Sequence, residues 1–310
     1  MEMPRKVLFI IGAMGSAYEI NFNGIKKHME PLGYVLEVVS CYDILETDLS
    51  KYTAVFAMTW MDARVESVIR KYKGIKCAIV GSHVHIDRDL HGMLRHYDSV
   101  FCVSPRLQFV LKDIGYPATV VHYFYSSEIF YPSKIQPPEF KVGWAGNSLR
   151  DVKRFKFFQQ AVYRLDGIVG FPVIMNTDKV TVSGAQRLVV SPELTQEQMG
   201  DYYRELSCYV VCSETEGQPK TGIEAMLCGL PVISTDVGVM SELGAFILPE
   251  PLTIESLRLV LKRIYRDDTQ AKLMGIKSRQ LSIARFDERK VLCEWEKIFE
   301  SVTDGTKNNH

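Results

Sequence analysis

Short runs of apolar, β-branched-rich residues alternate along this chain with stretches whose apolar positions recur at helical spacing. In the N-terminal half the pattern predicts a strand at 6–12 (KVLFIIG), a helix near 18–31 and a strand at 34–39. A strand at 53–58 and a helix around 62–72 follow. The series continues with a strand at 77–82, a helix around 86–96, a strand at 99–104, a helix at 105–114 and a closing strand at 119–123. These strands are continuous apolar runs and do not alternate apolar with polar. Such runs suit a parallel sheet covered by helices on both faces, which is a doubly wound α/β unit.

Residues 124–139 (FYSSEIFYPSKIQPPE) hold three prolines and no periodicity, and read as a linker. A second series then begins. Strands are expected at 140–146, 172–175, 187–191, 208–213, 231–235 and 245–249. Helices are expected at 151–166, 195–206 and 219–228, with a largely helical stretch over 253–303. The organisation is therefore a first Rossmann-like domain over 1–123 and a second over 140–285. The closing segment FDERKVLCEWEKIFESV supplies Trp295, Ile298 and Phe299 to one helix face. The polar tail from Thr303 to His310 is expected to fray. Two such domains create a cleft at the carboxyl ends of their sheets, where ligands of open α/β sheets bind.

Composition narrows the partners. Lys+Arg and Asp+Glu balance at 37 each, which lacks the basic excess of a chain whose main partner is a polyanion. The run Val7 to Ile11 near the start is too short for a signal-peptide core, and no later stretch approaches a membrane span. Seven cysteines stand dispersed without C-x-x-C pairs, as expected of reduced core thiols in a cytoplasm.

The most informative stretch runs SETEGQPKTGIEAMLCGLPVISTDVG over 213–238. A strand ends there in a glycine-containing loop and a helix opens near Pro219, a residue favoured in a first helical turn. The free N–H groups and positive dipole end of such a helix suit a diphosphate. Glu216 precedes the helix and Glu224 lies more than a turn inside it. Paired carboxylate acceptors suit vicinal sugar hydroxyls, so Glu216 is expected near a donor sugar and Glu224 near a ribose. Taken alone, the two glutamates suit a capping residue and a salt-bridged residue as well.

The longer string changes that balance. EGQPKTGIEAMLCGLPVISTDVGVMSE resembles the E-x7-E signature of retaining glycosyltransferases built from two Rossmann domains (GT-B), especially family 4. Glu216, Gly217, Glu224, Ala225, Met226, Cys228, Gly229, Pro231, Val232, Ile233 and Thr235 carry the match. Gly238 and Glu242 fit the family's usual downstream glycine and glutamate. The resemblance implies that Glu216 contacts the donor sugar and Glu224 the ribose. Lys220, Thr221, Gly222 and Ile223 would lie against the diphosphate.

Weaker parts of the resemblance cover most of the chain. KVGWAGNSLRDVKRF is similar to the family's first C-terminal strand and phosphate loop. Lys153 matches its lysine, which stabilises the departing nucleoside diphosphate. Asn147 stands where the family has an arginine, leaving Arg150 or Arg154 as the substitute. A leaving diphosphate needs cations or aimed N–H groups because charge grows there in the transition state. Gly12 and Gly15 in GAMGS are candidates for close backbone approach to donor and acceptor, or for a plain tight turn. His83 and His85 follow the fourth strand of the first domain, where the family often carries a histidine near the donor sugar. Asp98, Ser104, Phe130 and Pro132 match further positions, whereas Phe124 and Ser126 replace an expected Gly and Asp.

These readings converge on a retaining, metal-independent hexosyl transfer from a UDP- or GDP-sugar. No D-x-D motif follows a strand, and neither metal nor cofactor is expected. Retention by front-face transfer is implied by the resemblance alone. The acceptor stays unidentified, whether glycan, lipid-linked sugar, protein or modified base, and so does the oligomeric state. Lys26, Lys27 and His28 beside Ile25 and Met29 leave weak peripheral membrane contact open. Two rival functions also stay open. One is a non-catalytic nucleotide-sugar-binding partner subunit. The other is a transferase for modified DNA bases, with Arg150, Lys153, Arg154 and Lys156 lining the strand.

Overall fold

The structure is a computed structural model that describes residues 5–12, 17–83, 86, 90–175, 189–190 and 194–303. The chain divides into two compact units. One is Met1–Phe124 together with Glu288–His310, and the other is Tyr125–Asp287.

The first unit holds a six-stranded sheet of β1 (Arg5–Ile11), β2 (Tyr34–Ser40), β3 (Ala54–Ala57), β4 (Ile75–Val80), β5 (Ser99–Cys102) and β6 (Thr119–Val120). Every pairing is parallel and the order is β2-β1-β3-β4-β5-β6. Val7 to Ile11 and Ala54 to Ala57 are buried residue by residue, as strands covered on both faces must be. The helices are α1 (Ala17–Met29), α2 (Ala63–Ile69) and α3 (Pro105–Asp113). Asp62 and Ser104 cap the last two by accepting the backbone N–H of Arg64 and Leu107. Of the helix expected at 86–96, the described residues 90–96 form a 3-10 segment (Leu90–His96), and 87–89 lie outside the described residues.

A helix from the far end of the chain, α9 (Glu288–Thr303), completes this core. Trp295 and Phe299 stack among Phe9 and Phe56 with ring centroids 5.5 to 6.3 Å apart. His28 of α1 and Glu296 of α9 lie 2.5 Å apart at the edge of that packing.

The second unit holds β7 (Phe140–Gly146), β8 (Ile168–Ile174), β9 (Val189–Val190), β10 (Cys208–Val211), β11 (Val232–Ser234) and β12 (Phe246–Ile247). These strands form a parallel sheet in the order β12-β11-β10-β7-β8-β9. Around it lie α4 (Phe155–Val162), α5 (Gln196–Arg204), α6 (Lys220–Leu227), α7 (Ile254–Arg266) and α8 (Thr269–Phe286). The strand order reverses between β7 and β10, because the chain steps outward through β8 and β9 before returning beside β7. In open α/β sheets a ligand crevice forms outside the carboxyl ends at such a reversal.

Three expectations need correction. The stretch 124–139 does not stand apart as a linker. From Tyr125 onward it belongs to the second unit, because Tyr125 and Phe130 are fully buried there. Strand β8 begins at Ile168, earlier than the apolar pattern predicts. Gly170 and Pro172 conceal its first half in the sequence, yet both pair in register with β7. The helix expected over 151–166 is interrupted. A 3-10 turn (Asp151–Lys153) runs into Arg154, whose left-handed backbone (φ 51°, ψ 43°) ends it before α4 starts. Within α4 the apolar positions Phe155, Phe158 and Val162 face the core as the pattern requires.

Candidate functional site

The site is built where β7 and β10 end side by side. After β7, the Asn147 side chain accepts the N–H of Leu149 at 2.9 Å and its carbonyl accepts that of Arg150 at 3.2 Å. This asparagine turn leads into the 3-10 segment that carries Lys153. After β10, the loop 212–219 is tied to the same segment. The Glu214 N–H donates to the Val152 carbonyl at 2.8 Å, and the Cys212 thiol reaches the Lys153 and Arg154 carbonyls at 3.5 and 3.4 Å. Thr235, after β11, donates its hydroxyl to the Ser213 carbonyl at 2.6 Å.

That clamping brings Lys153 and Glu216 together. The Lys153 ammonium forms an ion pair with Glu216 Oε1, and the Ser213 hydroxyl donates to the same oxygen at 2.8 Å. Both charged side chains are half-buried. A cation and an oriented carboxylate thus stand at the sheet's reversal point, in reach of polar ligand atoms. Neighbouring Arg150 is exposed, whereas Arg154 is half-buried. The Arg154 charge opposes the burial that raises the Cys212 thiol to about 12.

Gly217 and Gly238 close the loop behind Glu216. Gly238 has φ +52°, and a Cβ placed on it would lie 2.5 Å from the Gly217 carbonyl oxygen. Only glycine tolerates both the backbone conformation and the contact. Helix α6 then starts at Lys220 with Pro219 as its N-cap, one position earlier than a first-turn proline. The first backbone bond of this helix joins the Ile223 N–H to the Pro219 carbonyl at 3.1 Å. The N–H groups of Lys220, Thr221 and Gly222 therefore precede the helical ladder, the arrangement that suits an anion.

Glu224, expected near a ribose, lies deep beside α5. It is only 3% exposed, with one carboxylate oxygen hydrogen-bonded and the other facing an ammonium beyond hydrogen-bond length. The Tyr203 hydroxyl of α5 donates to Oε2 at 2.9 Å, and Lys220 Nζ stands 3.8 Å from Oε1. Burial raises the carboxyl above its ordinary value, against the lowering effect of Lys220 and the Tyr203 hydrogen bond. Burial also drives the Tyr203 and Tyr125 hydroxyls well above the ordinary tyrosine range, with the Glu224 charge adding to it. Tyr203 is thus a donor at any physiological pH. Gln218 Nε2 donates to the Tyr125 hydroxyl at 3.2 Å, closing the floor beside α6.

The other expected site residues divide between packing and backbone roles. Ile223 is fully buried with its N–H bonded in the helix, so it packs and does not line a ligand surface. Gly222 is buried too, and a Cβ there would press on Val211 and Met240. In the first unit, Gly12 lies just past β1, where that sheet's order reverses toward β3. Its carbonyl accepts the Ser40 hydroxyl at 2.6 Å. His83 follows β4 half-buried, and its carbonyl accepts the Ile86 N–H at 2.9 Å. Gly15 and His85 lie outside the described residues. Among the described residues no group of three or more His, Cys, Asp or Glu is placed to hold a metal, and no helix is long and apolar enough to cross a membrane. Six cysteines are buried and free, and Cys293 is exposed.

Sequence reasoning missed Tyr203, Tyr125, Gln218 and Ser213. Tyr203 had only the signal of a tyrosine pair inside an amphipathic helix, which reads as core.

Residues 139–267, which carry Lys153, Glu216 and Glu224, match the family model described as glycosyl transferases group 1. This is a glycosyltransferase domain. Solved structures resemble the whole chain at low identity. Sucrose-phosphate synthase from Thermosynechococcus elongatus superposes with TM-score 0.83 at 14% identity, over 97% of this chain and 100% of that one. HepE from Anabaena, in complex with UDP-glucose, gives TM-score 0.78 at 13% identity over 96% and 99%. The pneumococcal O-GlcNAc transferase GtfA, with UDP and GlcNAc, gives 0.62 at 16% over 80% and 56%. No curated protein matches the chain in sequence. The fold is GT-B. The glycosyltransferase domain covers the second sheet from β7 to α7, including both ends of the Lys153–Glu216 pair.

Proposed function

We propose that this chain is a retaining, metal-independent glycosyltransferase that moves a hexosyl group from a UDP-sugar to an acceptor still to be identified. The observation that carries the proposal is the Lys153–Glu216 pair at the β7/β10 reversal, beside the opening of α6. A nucleotide sugar needs two things at one place: cations and N–H groups for the diphosphate, and carboxylates for the sugar hydroxyls. Lys153, the first turn of α6 and Arg154 supply the former; Glu216 supplies the latter. UDP is favoured over GDP because HepE and GtfA are complexed with UDP or UDP-glucose.

In this mechanism the donor displaces Glu216 from Lys153. The carboxylate then accepts sugar hydroxyls while Lys153 moves onto the diphosphate. As the anomeric bond breaks, negative charge grows on the departing diphosphate, and preformed positive groups stabilise it most at that moment. Retention is supported by the E-x7-E resemblance and would result from attack on the face the diphosphate leaves. The buried free thiols suit a reducing cytoplasm.

Asn147, uncharged and committed to its own turn, favours one second reading: a nucleotide-sugar-binding subunit without turnover. One experiment separates them. The purified chain is incubated with UDP-glucose, UDP-N-acetylglucosamine and GDP-mannose in a chelating buffer, with release of nucleoside diphosphate and melting temperature measured together. UDP release from one donor, unchanged by chelator, supports the enzyme, and the product's anomeric configuration then tests retention. Stabilisation without release supports the subunit. Neither effect with any donor overturns both readings.

A further inference from the structure

We infer that Tyr203 is a positioning residue for the donor site, holding Glu224 so that one carboxylate oxygen is spent inside the protein and the other is presented toward Lys220 and the ligand. The inference rests on the proposed function together with the E-x7-E resemblance, which implies that Glu224 contacts the ribose of the donor.

A glutamate inside a helix has several rotatable bonds, and a buried carboxylate must satisfy its acceptors. Here the two oxygens are treated differently. Oε2 takes the Tyr203 hydroxyl at 2.9 Å, and that tyrosine is itself fixed. Its ring is fully buried among Tyr209, Phe130 and Tyr202 at 5.4 to 6.1 Å, so it has no room to swing away. Oε1 has only the looser Lys220 ammonium at 3.8 Å, beyond hydrogen-bond length. Lys220 is half-buried and sits at the first position of α6. It is free to turn outward to a diphosphate, and in doing so it uncovers Oε1. The pair of donors therefore divides the labour: a rigid one sets direction and a mobile one guards the open oxygen. Tyr202, the adjacent residue, shows the contrast. Its hydroxyl is consumed by the Trp144 N–H and the Trp144 and Phe171 carbonyls, a purely structural set.

The charge of Glu224 also reaches other groups around it. Besides Lys220 and Tyr203, the hydroxyls of Tyr125 and Tyr209 and the thiol of Cys228 lie within electrostatic reach. Those three stay neutral and are themselves raised by the Glu224 charge, whereas Tyr203 donates a hydrogen bond to the carboxylate. Removing the Tyr203 hydroxyl alone should therefore push the Glu224 carboxyl further up.

The test uses the full chain and three variants, Tyr203→Phe, Glu224→Gln and the double variant, with the UDP-sugar that the parent turns over. Phe keeps the ring and deletes only the donor. Tyr203→Phe should raise the donor KM about tenfold, the effect of one hydrogen bond to a charged group, with kcat changed far less. The acid limb of its kcat/KM profile should move to higher pH. The double variant should be no worse than Glu224→Gln alone, because the two act through one carboxylate. A Tyr203→Phe chain that is less heat-stable but has the parent's KM and pH profile overturns the inference and leaves Tyr203 structural. If Glu224→Gln itself binds and turns over donor like the parent, the reading of Glu224 as a donor ligand falls instead. Should Tyr203→Phe not fold, Tyr203→Met repeats the test, since a flexible thioether chain fills irregular core space without a hydroxyl donor.

Discussion

The backbone N–H of Glu214 donates to the carbonyl of Val152 across the ends of β10 and β7. With the Cys212 thiol contacts to the Lys153 and Arg154 carbonyls, that bond fixes the spacing of two loops distant in sequence and brings Lys153 and Glu216 into one ion pair at the sheet's reversal point. The loops are thus held before any ligand arrives, which is the condition for electrostatic stabilisation without reorganisation.

Lys153→Met should keep the fold, since the lysine is half-buried at a loop and its stem is preserved in length. It should lower kcat by roughly 100- to 1,000-fold, the usual loss when one preformed charge-stabilising group is removed. Glu216→Gln should lose comparable activity with donor binding weakened as well. Steady-state donor kinetics on both variants check this; parent-like values for either would remove the pair from the site.

Arg154 separates charge from backbone strain. A non-glycine residue in the left-handed region costs about 1 to 2 kcal/mol, and Arg154 sits there at φ 51°. Arg154→Gly should therefore be as stable as the parent or slightly more so in urea unfolding. Its turnover should still fall if the guanidinium serves the diphosphate in place of the arginine that Asn147 lacks. Arg150→Gly, altering an exposed residue, should leave turnover nearly unchanged.

Glu224 makes stability depend on pH with a defined sign. Its folded carboxyl is raised above the ordinary value of 4.5 by burial, so the folded chain holds the proton more tightly than the unfolded one. The associated stability is present below about 4.5 and is lost as pH rises through the raised folded value. Glu224→Gln has no such group. Its stability relative to the parent should therefore improve as pH climbs through that window, as read by denaturant midpoints at several pH values. A constant difference would mean that Glu224 titrates alike in both states.

Gly238→Ala should destabilise the second unit by about 2 kcal/mol or more. An alanine there meets both an unfavourable positive φ and the Gly217 carbonyl at 2.5 Å. The displaced loop carries Glu216, so donor affinity should fall along with the melting temperature. A silent Gly238→Ala would show that the loop yields freely.

Much of the molecule was readable from local pattern. The continuous apolar runs at 6–12, 53–58 and 208–213 contain strands buried on both faces, because only a doubly covered strand has no polar side. The spacing of Glu216 and Glu224 across the start of a helix was equally plain. Where the reading failed, a residue's meaning changed with its surroundings. Pro172 and Gly170 look like a break and lie in β8; prolines 132 to 138 look like a linker, yet Tyr125 and Phe130 anchor the segment's start in the second unit.

By itself the order of amino acids determined the alternation of strands and helices, the helix mouth near residue 219 and the two acids flanking it, since these depend on neighbours within a few turns. Only the tertiary structure decided which groups those acids meet. Lys153 reaches Glu216 across 63 residues of sequence and Tyr203 reaches Glu224 across 21. The first contact arises because a parallel sheet lays the ends of β7 and β10 side by side, the second because helices α5 and α6 pack against each other. No periodicity along the chain records which neighbours that crossover chooses.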